Sequence, residues 1–326
     1  MLTIENIAAA AKRLAPHIRR TPLMVSEVLS ETTGTTLAIK SEHQQVTGSF
    51  KIRGAINKVL GLPPDVAKHG IVAASSGNHG IATATAAALK AVPCQVYLPS
   101  KASPAKVAAI GRLGANIITI DSPDSGEAER IARAAAETTG AAYVSPYNDV
   151  DVITGQGTIA VEIAEDAPKA GLDHVDAVVV AVGGGGLISG IASWFKATSP
   201  STVIVGASPA NDQAMIASIA AGEIFTPESR ETFSDGTAGG IEANAMTFDL
   251  CKSLVDVWIT VAEDDIAIEV AAMIDNHHQL IEGAAGVALA AAKRYASDHP
   301  GASIAAVSCG ANVSSIALSQ MLQQVR

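Results

Sequence analysis

Short, almost wholly apolar runs alternate along this chain with longer stretches in which apolar positions recur every three or four residues. The short runs, at 37–40, 71–74, 95–98, 116–120, 177–181, 203–206, 257–260 and 303–307, read as strands. The longer stretches, at 51–60, 78–90, 127–138 and 157–165, read as helices, and Ser103-Pro104 opens another with proline at its natural first position. Strands this uniformly apolar, separated by helices of this length, imply right-handed crossovers. The pattern predicts an α/β protein with a mostly parallel sheet covered on both faces. Regular structure is weakest over 223–245, which holds Pro227, Gly236, Gly239 and Gly240, so a loop over the site is expected there. The uncharged run 177–195 approaches the length of a membrane span. Gly183, Gly184, Gly185 and Gly186 interrupt it, and a buried strand, a glycine turn and a helix are the better reading.

Composition narrows this picture. A chain of 326 residues exceeds a usual single core, so two packed lobes or one large α/β domain are expected. No linker separates the lobes, which are therefore not consecutive in sequence. Only 3% of residues are aromatic against 48% hydrophobic, so Ala, Val, Ile and Leu fill the interior. A net charge of −10 without a Lys/Arg run argues against nucleic acid as a partner. Cys94, Cys251 and Cys309 are too far apart for a zinc pair or a disulfide framework, and a reducing cytoplasm fits them. The eight histidines show no ligand spacing, so no metal is expected. The first residues show no signal peptide, and no membrane association is expected.

Ligands bind at the carboxyl ends of the strands in an open parallel sheet, and four loops at such ends have unusual composition. The first is Thr47-Gly48-Ser49-Phe50-Lys51-Ile52-Arg53-Gly54-Ala55, with Ser49 read as an N-cap. Lys51 then sits in the first helical turn, where the positive end of the dipole disfavours its ammonium form, as a Schiff-base lysine requires. The second, Ser75-Ser76-Gly77-Asn78-His79-Gly80, combines hydroxyls with a helix start and suits a carboxylate. The third, Gly183-Gly184-Gly185-Gly186-Leu187, lets several backbone N–H groups converge on a monophosphate. It has neither the triphosphate-loop pattern nor a dinucleotide fingerprint. The fourth is Ser308-Cys309-Gly310-Ala311-Asn312, where Ser308 offers a neutral hydroxyl and Cys309 reads as a buried small hydrophobe. A Ser/His/Asp hydrolase lacks its Gly-x-Ser-x-Gly elbow.

These four motifs, in this order, resemble the serine/threonine dehydratase and serine racemase family of fold type II pyridoxal 5′-phosphate enzymes, and the likeness spans essentially the whole chain. The resemblance implies two lobes, each a mostly parallel twisted sheet covered by helices. A small lobe is expected at 53–146, with a large cofactor-binding lobe from 1–52 and 147–326. It implies that Lys51 is the Schiff-base lysine that also takes the Cα proton, with Phe50 packed on the cofactor ring. It places Asn78 at the ring hydroxyl, Gly183, Gly184, Gly185, Gly186 and Leu187 at the phosphate, and Ser308 at the pyridine nitrogen. Ser75, Ser76, Gly77 and His79 match the substrate-carboxylate loop, and Ser76 matches the acid on the opposite face in racemases.

The activity so implied is a carbon–oxygen lyase. Such an ammonia-lyase removes water and then ammonia from threonine, serine or 3-hydroxyaspartate, with racemisation as the alternative. A small amino-acid substrate and a homodimer are usual in the family. Departures matter too. With the sequence ending at Arg326, a C-terminal regulatory domain and its feedback control are not expected, and Ser208 stands where racemase-like members place a cation-binding carboxylate. Gly239-Gly240-Ile241-Glu242 and Ile281-Glu282-Gly283-Ala284-Ala285-Gly286 look more like the subgroup acting on 3-hydroxyaspartate or in hydroxyectoine breakdown. A sulfur-transferring synthase is disfavoured because Ile52 stands where those enzymes carry aspartate.

Overall fold

The computed structural model describes residues 2–325. Ten strands form two sheets. They are β1 (Leu23–Val25), β2 (Thr36–Lys40), β3 (Ile71–Ala74), β4 (Cys94–Leu98), β5 (Asn116–Thr119), β6 (Ala142–Tyr143), β7 (Ala177–Ala181), β8 (Val203–Pro209), β9 (Val257–Val261) and β10 (Ser303–Val307). The larger sheet runs β1-β2-β10-β7-β8-β9, and only the edge strand β1 is antiparallel to its neighbour. The smaller sheet runs β5-β4-β3-β6 and is parallel throughout.

Burial explains the continuous apolar runs. Val178, Val179 and Val180 are all fully buried, because helices cover both faces of β7. In the smaller sheet the faces separate by parity. Ile71, Val96 and Leu98 pack with the helices Lys51–Gly61 and Asn78–Lys90, whereas Val72, Ala74 and Tyr97 pack with Ala128, Ala132 and Ala136 of the helix Ser125–Thr139.

One helix is longer than its sequence pattern predicts: 157–165 is the end of a helix spanning Val150–Asp166. Asp149 caps it, its carboxylate accepting from the N–H groups of Asp151 and Val152. Gly155 looks like a breaker but serves close approach. A Cβ there would lie 2.6 Å from the Arg53 carbonyl oxygen, so glycine lets this helix cross Lys51–Gly61 backbone against backbone. The segment 223–245 carries no helix or strand, as expected.

A buried ion cluster pins Lys51–Gly61 from behind. The fully buried Arg53 guanidinium donates to both oxygens of Glu42 and both of Glu162, each at 2.8 Å. Lys40 Nζ donates to Glu162 at 2.5 Å, so two cations meet two carboxylates. No described helix is long and apolar enough to cross a membrane.

Candidate active site

Strand order assembles the site. β10 lies between β2 and β7, parallel to both, with Val307 level with Lys40 and Ala306 level with Val179. The carboxyl ends of the three strands therefore adjoin. They bring the loops carrying Lys51, Ser308 and the four glycines to one sheet edge. Beyond β2, residues 48–50 run antiparallel to 309–311: Phe50 N–H donates to Cys309 O at 3.0 Å and Ala311 N–H to Gly48 O at 2.8 Å. Gly48 sits at φ +74°, where a Cβ would lie 2.7 Å from Asn312 Oδ1, so only glycine fits this turn.

Lys51 opens the helix Lys51–Gly61, as its spacing predicts. Ser49 is not the hydrogen-bonding cap that its position suggests. Phe50 is already helical, and the buried Ser49 hydroxyl makes no hydrogen bond because the pairing with 309–311 turns it inward. Lys51 Nζ donates to the Pro146 carbonyl at 2.9 Å and lies 5.2 Å from the centre of the Phe50 ring. No carboxylate bonds it. Burial pushes its pKa down to about 8, against the opposing pull of Cys309, Glu129 and Glu282.

The other expected groups lie on the adjoining loops. Ser308 is fully buried and its hydroxyl has no partner, although its backbone is held by Lys40 O and by the His43 N–H. The four glycines lead from β7 into the helix Gly186–Thr198. A Cβ on Gly184 would meet the Tyr147 ring at 2.4 Å, and Gly185 is at φ +84°, so side chains are excluded on both counts. Leu187 is buried in the core behind the loop. Cys309 is buried, and burial raises its thiol pKa well above the ordinary value, so it is the small hydrophobe expected and no nucleophile.

The loop after β3 faces this edge from the smaller sheet. Ser75 Oγ accepts from Gly77 N–H at 3.1 Å, and Ser76 keeps a hydroxyl with no partner among the described residues. Asn78 begins the helix Asn78–Lys90. His79 shares the loop, but its ring turns away: Nε2–H donates to Val144 O at 2.8 Å, and burial lowers its pKa to about 3. Only its backbone remains to meet a ligand at the loop.

Two further groups involve Glu282 and Glu242, which lie in the segments 281–286 and 239–242 that the resemblance singled out without giving either residue a role. Glu282, the residue before the helix Gly283–Asp298, accepts from Asn78 Nδ2 at 2.9 and 3.0 Å and from Asn312 N–H at 3.1 Å. Burial raises its pKa. The second group joins the helix Ser125–Thr139 to the irregular segment 223–245. Arg133 pairs with Glu242 and lies over the Tyr143 ring at 4.2 Å. Glu242 also accepts from Asn148 at 2.9 Å, and its own N–H donates to the Tyr147 hydroxyl. Burial raises Glu129 to about 7, with Glu242 adding to the rise, and its charge acts on Lys51.

Similarity to known proteins places this geometry in a family. The chain is 39% identical to the L-threonine ammonia-lyase of Thermotoga maritima over 313 residues, 96% of this chain and 76% of that protein. It is 35% identical to the beta-hydroxyaspartate dehydratase of Paracoccus denitrificans, across 95% of this chain and 96% of that one. The solved structure of maize serine racemase superposes with a TM-score of 0.90 at 33% identity, covering 99% of this chain and 97% of the other. Both lobes thus follow the fold type II arrangement. Residues 14–310 match the model of the family described as pyridoxal-phosphate dependent enzyme, and the chain belongs to that family.

Proposed function

We propose that this lyase eliminates water and then ammonia from a 3-hydroxy amino acid such as threonine or serine. The observation that carries the reading is Lys51: a half-buried amine bonded to a carbonyl, with its pKa brought to about 8, and hence a base near its working range. The surroundings fit pyridoxal phosphate on two counts. Ser308 is an orphaned buried hydroxyl, and a Cβ at any of the four glycines would collide with neighbouring protein atoms, so the turn presents backbone alone. Gly183, Gly184, Gly185, Gly186 and Leu187 would hold the phosphate through backbone N–H groups at a helix start. Phe50 would pack on the ring, Asn78 would meet its hydroxyl oxygen, and Ser308 would meet its nitrogen. When bound, the cofactor supplies an electron sink for the pair left at Cα.

Lys51 takes the Cα proton, and the 3-hydroxyl leaves as water with a proton returned to it. The amide and hydroxyl groups of Ser75, Ser76 and Gly77, with the His79 backbone, orient the substrate carboxylate. A neutral serine at the ring nitrogen does not enforce its protonation, which favours prompt loss of the hydroxyl over reprotonation. Arg133 is already neutralised by its ion pair with Glu242. A second substrate carboxylate would therefore have to compete for that arginine, so threonine and serine rank ahead of 3-hydroxyaspartate. We assign 53–146 as the small lobe that presents the carboxylate loop. The free Ser76 hydroxyl supports a second reading, racemisation by proton return from the opposite face.

The test is ammonia release from threonine, serine and the 3-hydroxyaspartate stereoisomers by the reconstituted protein, with chiral analysis of residual serine. Ammonia from threonine or serine with a Lys51→Ala variant inactive is the expected result. Accumulating D-serine without ammonia would overturn elimination in favour of racemisation.

A further inference from the structure

Asn78, Glu282 and Asn312 meet across the two lobes, and together they decide which way an amide points. As a carboxylate Glu282 offers only acceptors, and the groups reaching it are donors: Asn78 Nδ2 at 2.9 and 3.0 Å, the Asn312 N–H at 3.1 Å and, more distantly, the Cys309 thiol at 4.0 Å. At the other end, Asn312 Nδ2 donates to the Thr47 carbonyl at 2.9 Å, which is likewise an acceptor only. Its second hydrogen goes to Asn78 Oδ1 at 2.6 Å. Amide oxygen and nitrogen are assigned from such networks, and two acceptor-only ends leave this one a single solution. The Asn78 oxygen is taken by Asn312, and its Nδ2 reaches both Glu282 oxygens. Two oxygens of one carboxylate subtend an angle far smaller than the ~120° between the two N–H bonds of an amide, so one N–H serves both and the other points elsewhere.

We infer that Glu282 and Asn312 are positioning residues that hold Asn78 as a hydrogen-bond donor towards the cofactor's ring oxygen. A donor there favours the oxygen in its anionic form, whereas a flipped amide would present an oxygen and favour the protonated form. The clamp also explains why this position needs glutamate. Glutamine would aim an NH2 group at one of the donors already converging on it, and Asn78 cannot flip to accommodate it while Asn312 fills its other side. Burial supports the picture: Glu282 is 7% exposed, and the Cβ of any residue replacing Gly310 would lie 2.6 Å from Oε1, so the carboxylate has little room to turn. Neither residue touches the substrate in this scheme. Both act through Asn78.

The inference rests on Asn78 meeting the ring oxygen, and a double-mutant cycle separates the two ideas. The full-length apoprotein is titrated with pyridoxal 5′-phosphate. Affinity and the ratio of visible to near-ultraviolet absorption of the bound cofactor are then recorded for wild type, Asn78→Ala, Glu282→Gln and the double variant. Glu282→Gln is expected to weaken binding about five- to tenfold, the value of one hydrogen bond, and to lower the absorption ratio. In the Asn78→Ala background the same substitution should change neither quantity.

If Asn78→Ala itself leaves affinity and spectrum unchanged, the placement of Asn78 is wrong and the inference falls with it. If Asn78→Ala weakens binding but the two effects multiply, the placement stands and the clamp is refuted. Asn312→Ala, at an exposed position, repeats the cycle by the same criterion and decides the matter should Glu282→Gln not fold.

Discussion

The pKa of Lys51 can be read directly from the pH dependence of covalent cofactor capture. Only the neutral amine attacks an aldehyde, and burial lowers this group from its ordinary value of 10.5 to about 8. Near pH 7 roughly a tenth of the molecules would carry the neutral amine, against about one in 3,000 for an unperturbed lysine, an advantage of roughly 300-fold. The sign follows from protonation. Capture should rise about tenfold per pH unit below ~7, bend near ~8 and level off above ~9. The assay mixes apoprotein with pyridoxal 5′-phosphate at each pH, quenches with borohydride and quantifies the modified Lys51 peptide by mass spectrometry. Dividing by the rate constant of a simple alkylamine, expressed per neutral amine at each pH, removes the aldehyde's own titration and leaves that of Lys51. A Glu129→Gln variant should move the bend to lower pH, because Glu129 opposes the fall in Lys51 pKa. A wild-type rate that climbs with unit slope past about pH 10 would refute the reasoning, since Lys51 would then be an ordinary solvated amine.

Two further outcomes are expected. Arg53→Met leaves Glu42 and Glu162 facing one another with only Lys40 in compensation, and should cost ~3–5 kcal/mol in urea unfolding; a loss below ~1 kcal/mol would mean that the cluster does not anchor the helix. Gly184→Ala would drive a methyl into the Tyr147 ring and should abolish cofactor retention on gel filtration while secondary structure persists, and full retention would show that the cradle tolerates a side chain.

Much of this site was legible from local pattern. The strand runs, the helix beginning at Asn78, the helix opened by Ser103 and the lysine at a helix start all follow from period, proline and cap chemistry. Errors arose where a long-range contact overrode a local rule. The helix Val150–Asp166 was expected only from 157 on, because the purpose of Gly155, a close helix crossing, depends on Arg53 far away in the chain. Ser49 resembled a cap because nothing local announces that residues 48–50 pair with 309–311. Nothing local to His277 announces that its ring meets Ser26 at 3.1 Å, 251 positions away.

Sequence alone determined the α/β class, a lysine at a helix start and a four-glycine turn after a buried strand, because periodicity and backbone freedom are properties of neighbouring residues. Tertiary structure alone decided that β10 inserts between β2 and β7, so that Lys51, Ser308 and the glycines share one edge. It alone brought Glu282 and Asn312 onto Asn78, and Glu242 onto Arg133. Those contacts join residues up to 234 positions apart. They depend on strand order and lobe packing, and no spacing along the chain encodes them.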